Sequence, residues 1–201
     1  MKNIIVKLIL VTVIITIFIP QCIFANSTKE LNDIKGHWAE RDILELIAKG
    51  AINGNPDGTF KPAALVTRAE FVKMLVTAIG YNQQSGSFFK DTEKHWADIY
   101  IDTAAAEGLL TTYFNGDIFV PDAPALRFEI PEMICKALKL EESATANPYS
   151  DKDLITKYTI KLYDEYIMRG SVENGKRYFK PNSMLTKAEA AAIINRIVKY
   201  K

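Results

Sequence analysis

The sequence predicts an all-α chain of three tandem two-helix units, and three observations carry that prediction. Val66-Thr67-Arg68-Ala69-Glu70 stands directly ahead of Phe71, Met74, Leu75, Ala78 and Ile79. Those apolar positions follow the i, i+3, i+4, i+7, i+8 rhythm of a helix with one buried face. The motif then recurs. Thr186-Lys187-Ala188-Glu189 precedes Ala190, Ile193, Ile194, Ile197 and Val198, and Leu126-Arg127-Phe128-Glu129 precedes Ile130, Met133, Ile134, Ala137 and Leu138. The basic positions 68, 127 and 187 lie 59 and 60 residues apart, so the chain is read as repeats before anything else. Finally, a shorter helical pattern and a turn precede each copy of the motif.

Taken in order, the chain opens with a leader. Lys2 and Lys7 flank its start, and residues 8–19 are apolar except for Thr12 and Thr16, until Pro20 breaks the run. Ile23-Phe24-Ala25 ends it on a small residue, so residues 1–25 are expected to be a secretory signal peptide cut before Asn26. A run of twelve residues falls short of the roughly 20 that span a bilayer. The expected product is secreted, with no stable membrane anchor after cleavage.

Three units follow a short polar stretch: residues 31–80, 89–140 and 149–200, joined by polar linkers at 82–87 and 141–148. Each opens with an aspartate, Asp33, Asp91 or Asp151, a few residues before its first helix. Gly36-His37-Trp38-Ala39 and Lys94-His95-Trp96-Ala97 announce that helix in the first two units; the third has Asp153-Leu154 in place of the His-Trp pair. The first helix buries Ala39, Ile43, Leu46 and Ile47 in unit one and Ala97, Ile101, Ala104 and Ala105 in unit two. It ends at Gly50 or Gly108, suited to a left-handed cap, while unit three has Tyr166 there. The turn dipeptides Asp57-Gly58, Asn115-Gly116 and Asn174-Gly175 lead into Phe60-Lys61-Pro62, Phe119-Val120-Pro121 and Phe179-Lys180-Pro181.

The motif itself suggests chemistry. Thr67 and Glu70 fit a capping box, which puts Arg68 in the first helical turn, where a cation opposes the helix dipole. A guanidinium beside free first-turn amides favours an anion. Three basic residues, Arg68, Arg127 and Lys187, share that position. Composition makes any such binding local. Taking Lys2 and Lys7 from the 25 basic residues leaves 23 against 24 acidic ones, so nucleic acid is not an expected partner. Cys135 is the single cysteine outside the leader, which leaves no internal disulfide.

Asp33…His37-Trp38-Ala39…Gly50-Ala51-Ile52…Asp57-Gly58-Thr59-Phe60-Lys61-Pro62…Thr67-Arg68-Ala69-Glu70 resembles the surface-layer homology (SLH) domain, and residues 31–200 resemble its three-repeat module. The resemblance implies a pseudo-threefold arrangement around a central three-helix bundle, with binding grooves between neighbouring repeats. It implies a ligand as well, a secondary cell-wall polysaccharide carrying ketal-pyruvate groups. Its acid would be met by Arg68, Arg127 and Lys187 in a monomeric protein at the bacterial cell surface. Trp38 and Trp96 have two readings: a flat face for a sugar ring, or packing at the start of the first helix. His37 and His95 read as helix-start residues.

Unit two departs from the pattern. Leu126 replaces the capping threonine, and Pro131 lies four residues after Arg127. A proline inside a helix costs about 3 kcal/mol. The second helix is therefore expected to start late, near Pro131, with Arg127 displaced and its groove weakened.

Other chemistries find little support. Asn53-Gly54-Asn55-Pro56-Asp57-Gly58 imitates a calcium loop, but its twelfth position is Ala64 rather than a bidentate glutamate. No Cys/His cluster suggests zinc, no repeated carboxylate pair suggests glycoside cleavage, and no cofactor is implied. The expectation is a non-catalytic wall-binding module with no catalytic domain attached. The alternative is a structural protein that engages another surface protein or peptidoglycan.

Overall fold

A computed structural model describes residues 31–110, 112–114 and 116–201; the expected signal peptide and Asn115 of the second turn lie outside the described residues. The described chain is mostly helical. Helix α1 (Glu40–Ala48) and α2 (Arg68–Ile79) belong to unit one, and α3 (Asp98–Ala106) opens unit two. Helix α4 (Ile130–Ala137) closes unit two, and α5 (Lys157–Asp164) and α6 (Lys187–Tyr200) form unit three. No described helix is long and apolar enough to cross a membrane.

The expected caps are present. Thr67 and Glu70 make a full capping box on α2, as Thr186 and Glu189 do on α6. Gly50 and Gly108 take left-handed backbone at the ends of α1 and α3 (φ 69° and 67°), and Tyr166 adopts the same conformation after α5 (φ 61°). In unit two, Arg127–Glu129 form a 3-10 turn and the α-helix begins only at Ile130. Pro131 thus sits in the first turn, where its missing N–H costs little. The late start matches the expectation; the displacement of Arg127 does not. Arg127 N donates to Ser183 O at 3.0 Å, just as Arg68 N donates to Ala123 O at 2.9 Å and Lys187 N to Ala64 O at 2.8 Å. The 3-10 turn absorbs the proline and leaves the residue at its structural position.

The third unit's counterpart of the His-Trp pair does not lie at Asp153-Leu154. Leu154 has left-handed backbone (φ 58°) like Gly36 and Lys94, three residues after the unit's aspartate. The place of Trp38 and Trp96, five residues after it, therefore falls to Thr156, whose side chain caps α5. Unit three adds a short hairpin to its two helices, within an otherwise helical chain. Strands β1 (Ser171–Glu173) and β2 (Lys176–Tyr178) pair antiparallel through Asn174-Gly175, both with positive φ as a type I′ turn requires. Val172 is exposed, so no buried alternation marks these strands in the sequence.

Each opening aspartate locks its unit. Asp33 accepts from Phe60 N and Lys61 N at 2.8 and 2.7 Å, and Asp91 from Phe119 N and Val120 N at 2.8 and 2.7 Å. Asp151 accepts from Phe179 N at 2.6 Å. The clamp holds Lys61, Val120 and Lys180 in left-handed backbone (φ 61°, 57° and 57°) and buries the preceding phenylalanines. A β-branched side chain is a true outlier there. Val120 is exposed. Val120→Asn is therefore expected to stabilise the fold by about 1 kcal/mol in urea unfolding, the low end of such strain; a loss of stability would refute the strain.

Packing runs between units more than within them. Helix α2 packs on α3, α4 on α5 and α6 on α1, and α2 also packs on α6. The loops ahead of the second helices exchange backbone bonds in the same sense. Val66 N donates to Leu185 O, Leu185 N to Ala125 O and Ala125 N to Val66 O, each at 3.0 Å. Phe71, Phe119 and Phe179 lie fully buried in the resulting core.

The α6–α1 contact holds the last unit against the first. Asn195, fully buried, donates Nδ2 to Asp42 Oδ1 and Glu45 Oε2, both at 2.7 Å, and Lys199 Nζ lies 2.8 Å from Glu45 Oε2. Bonds from Lys199, Asn195 and Arg41 hold the Glu45 carboxyl down at about 2. A carboxylate with a lowered folded pKa stabilises above its unfolded pKa, and that contribution fades as pH falls through the folded value. Amide exchange in residues 40–48 and 187–200, corrected for intrinsic rates, is expected to accelerate from pH 5 to pH 2. Glu45→Gln should flatten that pH response, and an unchanged response would exclude Glu45 as its source.

Candidate functional site

The first-turn amides are the natural starting point, and they are occupied. Thr67 N donates to Glu70 Oε2 at 2.9 Å and Glu70 N to Thr67 Oγ1 at 3.1 Å. Arg68 N and Ala69 N go to Ala123 O and Pro121 O of the next unit, at 2.9 and 3.0 Å. Helix α6 repeats the pattern with Ala64 O and Pro62 O. The expected anion site on free amides is therefore absent at both helices. The neighbouring unit's backbone satisfies those donors, as burial demands.

The basic side chains also reach across to the next unit. Arg68 pairs with Glu129, Arg127 with Glu189 (Nη1 to Oε1, 3.6 Å) and Lys187 with Glu70 (2.9 Å). Each motif's cation thus meets another motif's glutamate. Arg68 is the most tightly held. Its Nε lies 3.1 and 3.3 Å from the two Glu129 oxygens, Nη1 donates to Phe119 O at 3.0 Å, and the guanidinium lies 5.2 Å over the Phe114 ring. Arg127 donates Nε to Phe179 O at 2.8 Å and lies 5.0 Å over the Phe179 ring. Burial pulls its pKa below the ordinary arginine value, against the pull of Glu189.

Because each cation points onward, grooves and units do not coincide. Arg127 lines a cavity of about 530 Å³ over unit three, together with Glu189, Trp38, Arg169, Lys180 and Arg196. Lys187 lines one of about 150 Å³ over unit one, with Glu70, Phe60, Lys73 and Trp96. Arg68 lies over unit two, beside Phe114, Phe119 and Glu129, in a recess that leaves no water-sized space among the described residues. Phe114, in the 3-10 turn Thr112–Phe114, is buried beside the guanidinium there.

Trp38 and Trp96 are 62% and 54% exposed, which removes the core-packing reading. Each ring leans on the preceding histidine, with centroids 5.4 and 5.3 Å apart. Those histidines hold the helix starts, Nδ1 of His37 and His95 accepting from Ala39 N and Ala97 N at 3.2 Å. Lys73 Nζ stands 5.9 Å from the Trp96 ring. Each open groove therefore joins a cation from one unit, a carboxylate from the next and an exposed tryptophan from a third. Sequence reasoning missed Lys73, Arg169 and Arg196. The run of arginines in unit three, Arg169, Arg177 and Arg196, was the available signal.

The family model described as "S-layer homology domain" matches residues 30–72 and 88–130. The chain is 29% identical over 196 residues to an uncharacterized cell wall amidase of Bacillus anthracis, covering 96% of this chain and 36% of that protein. It is 31% identical over 180 residues to the S-layer protein EA1 of Bacillus anthracis, covering 85% of this chain and 20% of that one. A cellulosome-anchoring protein of Acetivibrio thermocellus is 34% identical over 121 residues, 57% of this chain and 27% of its own. The chain thus spans little more than a third of the first of these relatives, and less of the others.

Proposed function

Residues 30–72 and 88–130 belong to the S-layer homology domain family, and from that premise we propose that the chain is a non-catalytic module attaching to bacterial cell walls. Residues 149–200 act as the third repeat of the module. The three repeats close in a pseudo-threefold arrangement around a central three-helix bundle, a closure favoured by the cyclic bonds among Val66, Ala125 and Leu185. The module works as a monomer at the cell surface after the leader has directed its export.

The ligand is an acidic secondary wall polysaccharide bearing ketal-pyruvate. The observation that carries this reading is the pairing of cation and exposed tryptophan in two grooves: Lys187 with Trp96, and Arg127 with Trp38. A sugar has apolar C–H faces that an aromatic ring covers, and a ketal carboxylate takes a charge-assisted bond from the cation. The relatives' names, an S-layer protein and a cellulosome-anchoring protein, agree with attachment to a surface. Pull-down with purified walls, before and after mild acid removes the ketal-pyruvate, tests it. Stripped walls should lose most of the binding; undiminished capture would overturn the polysaccharide reading.

A further inference from the structure

The unit-three groove differs from its unit-one counterpart in charge as well as in size. Among the described residues there are six arginines, and Arg41, Arg68 and Arg127 each pair with a carboxylate. Arg169, Arg177 and Arg196 have no carboxylate partner among the described residues, and all three belong to unit three. Arg169 and Arg196 line the groove, whose lysine, Lys180, is already paired with Glu173.

Both groove arginines are held in place by neutral groups. Arg196 Nη1 donates to Ile167 O at 2.9 Å. Arg169 Nη2 donates to the Tyr163 hydroxyl at 3.1 Å, and its guanidinium lies 4.8 Å from the Tyr163 ring and 4.5 Å from the Tyr166 ring. Tyr166 is itself a strained residue. It is 68% exposed in left-handed backbone where units one and two use glycine. A bulky side chain there costs free energy, and it gives Arg169 an aromatic face on the groove's edge. The result is two immobilised guanidiniums with unfilled donors, separate from the Arg127–Glu189 pair. Guanidinium forks suit carboxylates, and uncompensated positive charge in a cleft draws anions.

We infer that the groove over unit three takes a segment of acidic saccharide bearing two carboxylates, one near Arg127 and one between Arg169 and Arg196, whereas the Lys187–Trp96 groove takes one. The volumes agree: about 530 Å³ falls within the range of sites that enclose multi-ring ligands, and about 150 Å³ falls below it. The inference rests on the acidic-polysaccharide reading above and adds the number of acidic groups and the residues that count them.

Calorimetric titration of the whole protein with synthetic saccharides carrying one or two ketal-pyruvate carboxylates tests it. The two-carboxylate probe should bind at least about tenfold tighter, the effect of one further charge-assisted contact. Arg169→Gln with Arg196→Gln should abolish that advantage and leave the one-carboxylate affinity within about twofold, as expected when one of two contacts is lost. Arg196→Gln alone, with Tyr163 and Arg169 untouched, should remove part of the advantage, and Arg196→Lys should restore some. Melting curves on each variant separate unfolding from lost binding. Equal affinity of the native protein for both probes, or parallel loss of both in the double variant, overturns the proposal. Failure of both probes to bind the native protein would refute the underlying ligand reading as well.

Discussion

Replacing Glu129 with alanine is expected to destabilise the protein by about 3 kcal/mol, the lower end of what breaking a buried ion pair costs. Its carboxylate is 2% exposed, accepts the Leu126 amide at 3.0 Å and holds the Arg68 guanidinium, which is 20% exposed. Removing it leaves a half-buried cation and an unmet backbone donor at the junction of units one and two. Glu129→Gln keeps an acceptor for Leu126 and should cost less. Urea unfolding of both variants, in a cycle with Arg68→Ala, checks the coupling. A cost below about 1 kcal/mol for Glu129→Ala would show that the pair contributes no more than an exposed one.

The second large effect concerns wall binding. Arg127→Ala and Lys187→Ala are each expected to weaken capture by purified walls roughly tenfold, the scale of one charge-assisted contact. Arg68→Ala should lower stability while leaving the binding of the folded protein nearly unchanged, because its guanidinium is already taken up by Glu129, Phe119 O and the Phe114 ring. The ordering reverses what the motifs suggest on their own, since Arg68 sits in the most complete motif and Arg127 in the most damaged. Equal losses in all three variants would refute it.

The reversal has a simple physical origin. Whether a motif is complete reports how its helix begins, which is a local matter of Thr67, Glu70 or Pro131. Whether its cation can meet a ligand depends on the next unit's loop, some fifty residues away. Phe114 packs against one such cation, whereas Met168, Arg169 and Ser171 of the β1–β2 hairpin line an open groove beside another. No window of sequence contains both halves of a groove.

What the sequence determined by itself is what neighbouring residues decide among themselves. The capping boxes at Thr67 and Thr186, the left-handed glycines at 50 and 108 and the late start at Pro131 all follow from contacts within a few residues. Tertiary structure alone decided where the first-turn amides and cations go. Ala123 O and Pro121 O satisfy the amides of Arg68 and Ala69, so the anion site foreseen there is filled by protein. Glu129, Glu189 and Glu70 each meet a basic residue of another unit. Buried donors and charges must be satisfied by whatever lies beside them. In this chain the group beside them belongs to another repeat, and only the packing of one repeat on the next reveals which.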